Sequence, residues 1–126
     1  MSQSKALALA QAAYQGFAEG NMEPLFSILA EDVKWINHSS SSYSPFAGVH
    51  RGLEGVKAYF SHMPEIDQEK FEIKAMAEQN GYVMVTIERR AIYKAVGKVH
   101  EGQIVHVMRF DDDKLQQMDI YEHRHL

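Results

Sequence analysis

Apolar residues at Ala6, Leu7, Ala10, Ala13, Tyr14, Phe17 and Ala18 recur three and four apart, which places them on one face of a helix. Gly20 ends that helix, because glycine takes the left-handed conformation past a helix terminus without steric cost. Asn21 then caps a second, short helix with Pro24 in its first turn and Leu25, Phe26 and Leu29 as its buried stripe. Helices joined by so tight a turn pack against each other. At Val33–Asn37 the period drops to two, giving a strand with Val33, Trp35 and Asn37 on one face. The polar run from His38 to Ser44 reads as a loop. Pro45–Gly52, with two glycines and a proline, allows at most a short edge strand. Leu53–Met63 returns to helical spacing, with Val56, Tyr59, Phe60 and Met63 buried and Pro64 as the stop.

The rest of the chain has the pattern of strands. Phe71–Glu78 is followed by the hairpin signal Asn80-Gly81, and Tyr82–Lys94 turns at Gly97-Lys98 into Val99–Phe110. Asp111–Lys114 makes the last turn before a closing strand at Leu115–His123. Helices followed by a meander of long antiparallel strands predict an α+β fold. Tyr82–Ile87 is apolar at nearly every position, so both of its faces are expected to be buried. The helices can cover one face, and a second copy of the chain is the expected cover for the other, a homodimer through the sheet.

Composition narrows the function classes. At 126 residues the chain is one domain spanning 1–126, long enough to bury a core without staples. The absence of cysteine excludes disulfides and thiolate metal sites. A net charge of −4 and no basic stripe argue against nucleic acid as a partner. The Ala- and Leu-rich start carries one positive residue, Lys5, and is broken at Gln11, Tyr14 and Gln15. That pattern is neither a signal peptide nor a membrane span, so a cytoplasmic location away from membranes is expected. Seven methionines and six tyrosines suit a ligand pocket and a plain core equally.

Several local phrases together resemble the SnoaL-like branch of the nuclear-transport-factor-2-like superfamily. They are Ala18-Glu19-Gly20-Asn21 between two helices and Leu29-Ala30-Glu31-Asp32-Val33-Lys34-Trp35 entering the first strand. Next comes Phe46-Ala47-Gly48-Val49-His50-Arg51-Gly52-Leu53-Glu54-Gly55-Val56 opening the third helix. The end matches too, with Arg109-Phe110, an acidic turn, and Asp119-Ile120-Tyr121-Glu122. The resemblance runs from about residue 6 to residue 123. It implies a cone of curved antiparallel sheet wrapped by three helices from the N-terminal half, often dimeric. That fold hosts ketosteroid isomerase, polyketide cyclases, epoxide hydrolases and dehydratases, and also binding domains without activity, so function has to be argued from the site.

The ketosteroid-isomerase pattern puts a general base at the end of the first strand and an oxyanion donor on the penultimate one. Those positions fall here on Asn37 and His106, and the pattern's helical tyrosine falls on Ala13, beside Tyr14. Asparagine cannot take a proton, so the chain departs from that pattern. SnoaL-type cyclases are similar in relying on an acid/base residue in the penultimate strand, a role open to His106 because imidazole titrates near neutrality. The reading that follows makes His106 the acid/base and Glu88 its partner, with Asn37 or Tyr14 binding a carbonyl. Strand parity groups Trp35 with Asn37, Met108 with Ile104 and His106, Met84 with Thr86 and Glu88, and Met118 with Ile120 and Glu122. Tyr14, Tyr59, Phe60 and Met63 complete the expected lining from the helices.

The expected function is cofactor-free isomerase-, cyclase- or dehydratase-type chemistry on a small apolar carbonyl compound. The alternatives are a binding domain and a dimeric interaction module. On the competing reading of the same residues, His106 is a satisfied core histidine and Glu88 pairs with Arg90 or Arg109. No metal is expected: His100-Glu101 and His106 do not have zinc-motif spacing, and His123 with His125 offers two ligands where structural sites want four. His38 and His50 are expected to be solvated in loops, and Asp111-Asp112-Asp113 to be a solvated turn. No phosphate-cradling glycine loop or serine-nucleophile motif is present.

Overall fold

Ser4 opens the first helix, its hydroxyl accepting the Leu7 N–H at 3.0 Å. In the computed structural model, which describes residues 4–39 and 44–124, α1 spans Lys5–Ala18. Residues 40–43 of the expected serine loop, and His125, lie outside the described residues. Gly20 leaves α1 at φ +75°. The chain then doubles back so closely that the Asn21 N–H donates to the Gly16 carbonyl at 2.8 Å. The Asn21 side chain accepts the Glu23 N–H at 3.2 Å, starting the single turn of α2, Glu23–Phe26.

β1 runs Leu29–Asn37, so Leu29 belongs to the strand and not to the α2 stripe. Its pairing slips between Leu29 and Lys34, and that irregularity hides the first half of the strand from a period-two reading. The edge strand β2 is Gly48–Arg51, and α3 is Gly52–Phe60. Met63 falls beyond α3, in a single 3₁₀ turn, Met63–Glu65, around Pro64. β3 covers Ile66–Gln79, five residues longer at its start than the apolar pattern implies. Its register shifts at Gln68/Lys70 and Ile73/Ala75 break the alternation. β4 (Tyr82–Tyr93), β5 (Lys98–Asp111) and β6 (Lys114–Arg124) complete one sheet in the order β2-β1-β6-β5-β4-β3. All neighbours are antiparallel except β1 and β6, which run parallel. The β3–β4 hairpin turns on Asn80 and Gly81, both at positive φ (54° and 83°), as a two-residue type I′ turn requires.

The helices lie on one face of the sheet, and the core fills the space between. Val33, Val56, Val83, Val85, Ile87 and Leu115 are fully buried there. On β4 the buried set is Val83, Val85, Ile87, Arg89, Ala91 and Tyr93, while Tyr82 and Met84 stay 45% and 40% exposed. Only one face of β4 is therefore covered within the chain, and the other, the face expected to meet a second copy, is left partly exposed. Among the described residues, no helix is long and apolar enough to cross a membrane.

Candidate functional site

Between the helices and the inner face of the sheet lies a cavity, and water centres can occupy about 80 Å³ of it. One water needs roughly 10–15 Å³ by that measure, so the space suits a small ring compound. Most of its wall is apolar: Phe17, Trp35, Phe46, Phe60, Phe71 and Met108 supply much of it. Three groups of polar side chains interrupt that wall.

The first joins α1 to β5. The Tyr14 hydroxyl and His106 Nδ1 are 2.5 Å apart, and the two rings stack with centroids 5.8 Å apart. Burial and the nearby Arg89 charge both disfavour the imidazolium, pushing His106 down to about 3. Burial likewise drives the Tyr14 phenol far above its ordinary range. Both groups are neutral at any ordinary pH.

The second group lies at the end of β1. Asn37 donates through Nδ2 to the Tyr59 hydroxyl on α3 at 3.2 Å, and its Oδ1 accepts the Ser39 N–H at 2.9 Å. With Asn37 fixed in this way, the Tyr59 oxygen is an acceptor and its own proton remains to be donated elsewhere. Burial pushes Tyr59 up to about 12, although the Asn37 hydrogen bond and the Arg89 charge pull the other way. Trp35 packs against both Tyr59 and Phe60, with centroids 5.7 and 5.5 Å away.

The third group sits where β4, β5 and β6 meet. Arg89 donates from Nε to Gln68 at 2.8 Å, and its Nη1 faces Glu122 at 3.7 Å. The fully buried His100 brings Nε2 to 4.0 Å from the same carboxylate. Tyr93 completes this end, its phenol raised by burial and by the Glu122 charge.

A family model described as a SnoaL-like domain matches residues 10–118. The chain belongs to the SnoaL-like family. Solved structures agree in fold. An NTF2-like protein of unknown function from Burkholderia pseudomallei superposes with a TM-score of 0.83 at 20% identity, over 96% of this chain and 92% of that one. TerC, co-crystallised with polyporic acid, gives 0.78 at 22% identity over 95% and 92%. A candidate SnoaL-like polyketide cyclase from Mesorhizobium loti gives 0.73 at 13% identity over 90% and 96%. Among curated proteins, none matches the sequence.

In this SnoaL-like protein, Tyr14, Trp35, Asn37, Tyr59, Phe60, Met63, His106, Met108, Met118 and Ile120 all line the cavity. Met84, Thr86 and Glu88 do not: they lie on the outer face of β4, opposite Val107, Val105 and Gln103 of β5. The odd-numbered residues of β4 face inward, so Glu88 is not the partner of His106, and Tyr14 is the group that bonds it. Glu88 instead accepts from Gln103 at 3.5 Å. Arg90, its expected alternative partner, pairs with Glu69 at 2.6 Å. The two histidines expected in loops are also engaged, and His50 lies on β2. His38 pairs with Asp119 at 2.8 Å and stacks on Tyr121, and the His50 Nε2–H donates to the Phe46 carbonyl at 3.0 Å.

Sequence reasoning missed Arg89, Gln68 and Tyr93. A signal for Arg89 was present: Val83, Val85 and Ile87 are uniformly β-branched, whereas Met84, Thr86 and Glu88 grow steadily more polar. Among the described residues, no three His, Asp or Glu side chains converge as metal ligands.

Proposed function

We propose that this SnoaL-like protein binds a small, mostly apolar carbonyl compound in its cavity and moves a proton between the compound's carbon and its oxygen. That is the acid/base step shared by isomerases, cyclases and dehydratases. The hydrogen bond between Tyr14 and His106, set in an apolar wall, carries the reading. Because burial opposes both imidazolium and tyrosinate here, the transfer has to keep each group neutral. A relay does this. The substrate C–H proton passes to His106 Nε2, the Nδ1 proton passes to the Tyr14 oxygen, and the Tyr14 proton passes to the carbonyl oxygen. The C–H electron pair becomes the C=C bond of an enol, and His106 is left in its other neutral tautomer. Running the relay backwards onto a different carbon completes an isomerisation. Tyr59, with its oxygen occupied by Asn37, is the donor that would hold the carbonyl.

The fold-level neighbours favour a small-molecule site, since TerC was crystallised with polyporic acid and the Mesorhizobium loti protein is a candidate cyclase. The outer face of the sheet, with Tyr82, Met84 and Tyr121 exposed, is the surface on which a second copy would pack.

Deuterium uptake at the methyl group of acetophenone in D₂O, followed by NMR, tests the chemistry. The wild type is expected to accelerate exchange. Tyr14→Phe and His106→Gln are each expected to reduce the enzymatic rate about a hundredfold or more, the usual weight of a positioned acid/base group. Ligand binding read by Trp35 fluorescence should change little. Exchange at the buffer rate in the wild type would leave a binding domain as the better reading.

A further inference from the structure

No proton of the relay passes through the third polar group. Arg89 and Glu122 both face the cavity, at side-chain exposures of only 7% and 10%, and stand 3.7 Å apart. That separation makes an ion pair whose partners do not hydrogen-bond each other. Gln68 takes the Arg89 Nε–H at 2.8 Å and so fixes the guanidinium plane. Across the ladder Arg89 stands opposite Gly102, so no side chain occupies that inner position of β5 between His100 and Ile104.

We propose that this end of the cavity recognises a neutral end group with an acceptor and a donor on neighbouring carbons, a hydroxy-carbonyl. The charges of Arg89 and Glu122 sum to zero. Against that pair, a ligand carboxylate brings a negative charge to a guanidinium already shared with Glu122, and an ammonium brings a positive charge to a carboxylate already shared with Arg89. A bare ketone gives Arg89 an acceptor but nothing to Glu122. A hydroxyl beside a carbonyl serves both: the guanidinium donates to the carbonyl oxygen, and the carboxylate accepts the hydroxyl proton. Each contact is then a charge-assisted hydrogen bond. The inference rests on the cavity being a ligand site, and it holds whether or not Tyr14 and His106 perform chemistry.

Trp35, the single tryptophan, lines the cavity, so its fluorescence reports occupancy. Acetophenone, α-hydroxyacetophenone and benzoate, titrated at pH 7, form a matched set. The hydroxy ketone is expected to bind about tenfold tighter than acetophenone, the worth of one added hydrogen bond to a charged group, with benzoate weakest. Glu122→Gln keeps the shape but frees the Arg89 charge, so benzoate should gain about tenfold while the hydroxy ketone loses its bond to the carboxylate, about tenfold, and the two should change places. If that variant proves unfolded by circular dichroism, the wild-type ranking still decides. Acetophenone binding with no gain from the hydroxyl, or benzoate binding as tightly as the hydroxy ketone, would overturn this inference and leave the ligand cavity standing. Silence from all three would sink both.

Discussion

His106→Gln should flatten the acid limb of the stability curve. In the folded chain His106 is held near 3 by burial and by Arg89, whereas in the unfolded chain an imidazole titrates near 6.5. Between those values the unfolded state binds a proton that the folded state refuses, so this residue makes stability rise with pH across that window. Each full pH unit inside it is worth about 1.4 kcal/mol. From pH 7 down to 4.5 the loss attributable to His106 integrates to about 2.5 kcal/mol. Glutamine has a similar reach, can still hydrogen-bond Tyr14, and does not titrate. Urea unfolding of wild type and variant at pH 7, 6, 5 and 4.5 isolates the effect, because the other titrating groups cancel in the difference. The gap between the two proteins should close by about 2.5 kcal/mol in the variant's favour, roughly 1–2.5 M of urea at ordinary m-values. Parallel curves would show that His106 protonates in the fold as freely as outside it, and the argument for a neutral relay would fall with that result.

Gly16→Ala should destabilise the protein by about 1–3 kcal/mol in urea, although alanine is the better helix former. A Cβ there would lie 2.5 Å from the Asn21 carbonyl oxygen and 3.0 Å from Pro24, so α1 and α2 would have to part. A more stable variant would mean that this close approach is not made. Met84→Lys puts a charge in the middle of the exposed face of β4. Sedimentation velocity should show a wild-type dimer and a Met84→Lys monomer that still binds acetophenone. A monomeric wild type at every concentration would remove the sheet-to-sheet pairing.

Legibility of the fold depended on whether an element kept its period. α1, the Asn80-Gly81 hairpin and the three long strands from Tyr82 onward were readable because their one register shift, at Arg109/Phe110, falls at the end of β5. The starts of β1 and β3 were not, because their pairing slips at the places where the apolar alternation lapses. A bulge puts one extra residue into a strand and reverses the apparent parity beyond it, so a pattern count sees loop where the backbone is still paired. Gly16 was invisible for a different reason: its function is to leave room for Asn21 and Pro24, and a contact between helices leaves no periodic trace.

The site was readable to the extent that parity was. His106, Asn37, Trp35, Met118 and Ile120 were placed correctly because β1 near its end, β5 and β6 pair in register across Asn37, Ile120 and His106. On β4 a choice of phase had to be made, and Met84 was a plausible inward residue by hydrophobicity alone. Choosing that phase moved Glu88 to the cavity and Arg89 to solvent, which reversed the charge of the residue assigned to the cavity. The difference bears on whether His106 is protonated. A carboxylate beside His106 would have favoured its protonated form and a conventional acid/base role, whereas a guanidinium in the same cavity disfavours it. Neutrality of His106, and with it the proposed relay, therefore depends in part on which face of one strand looks inward.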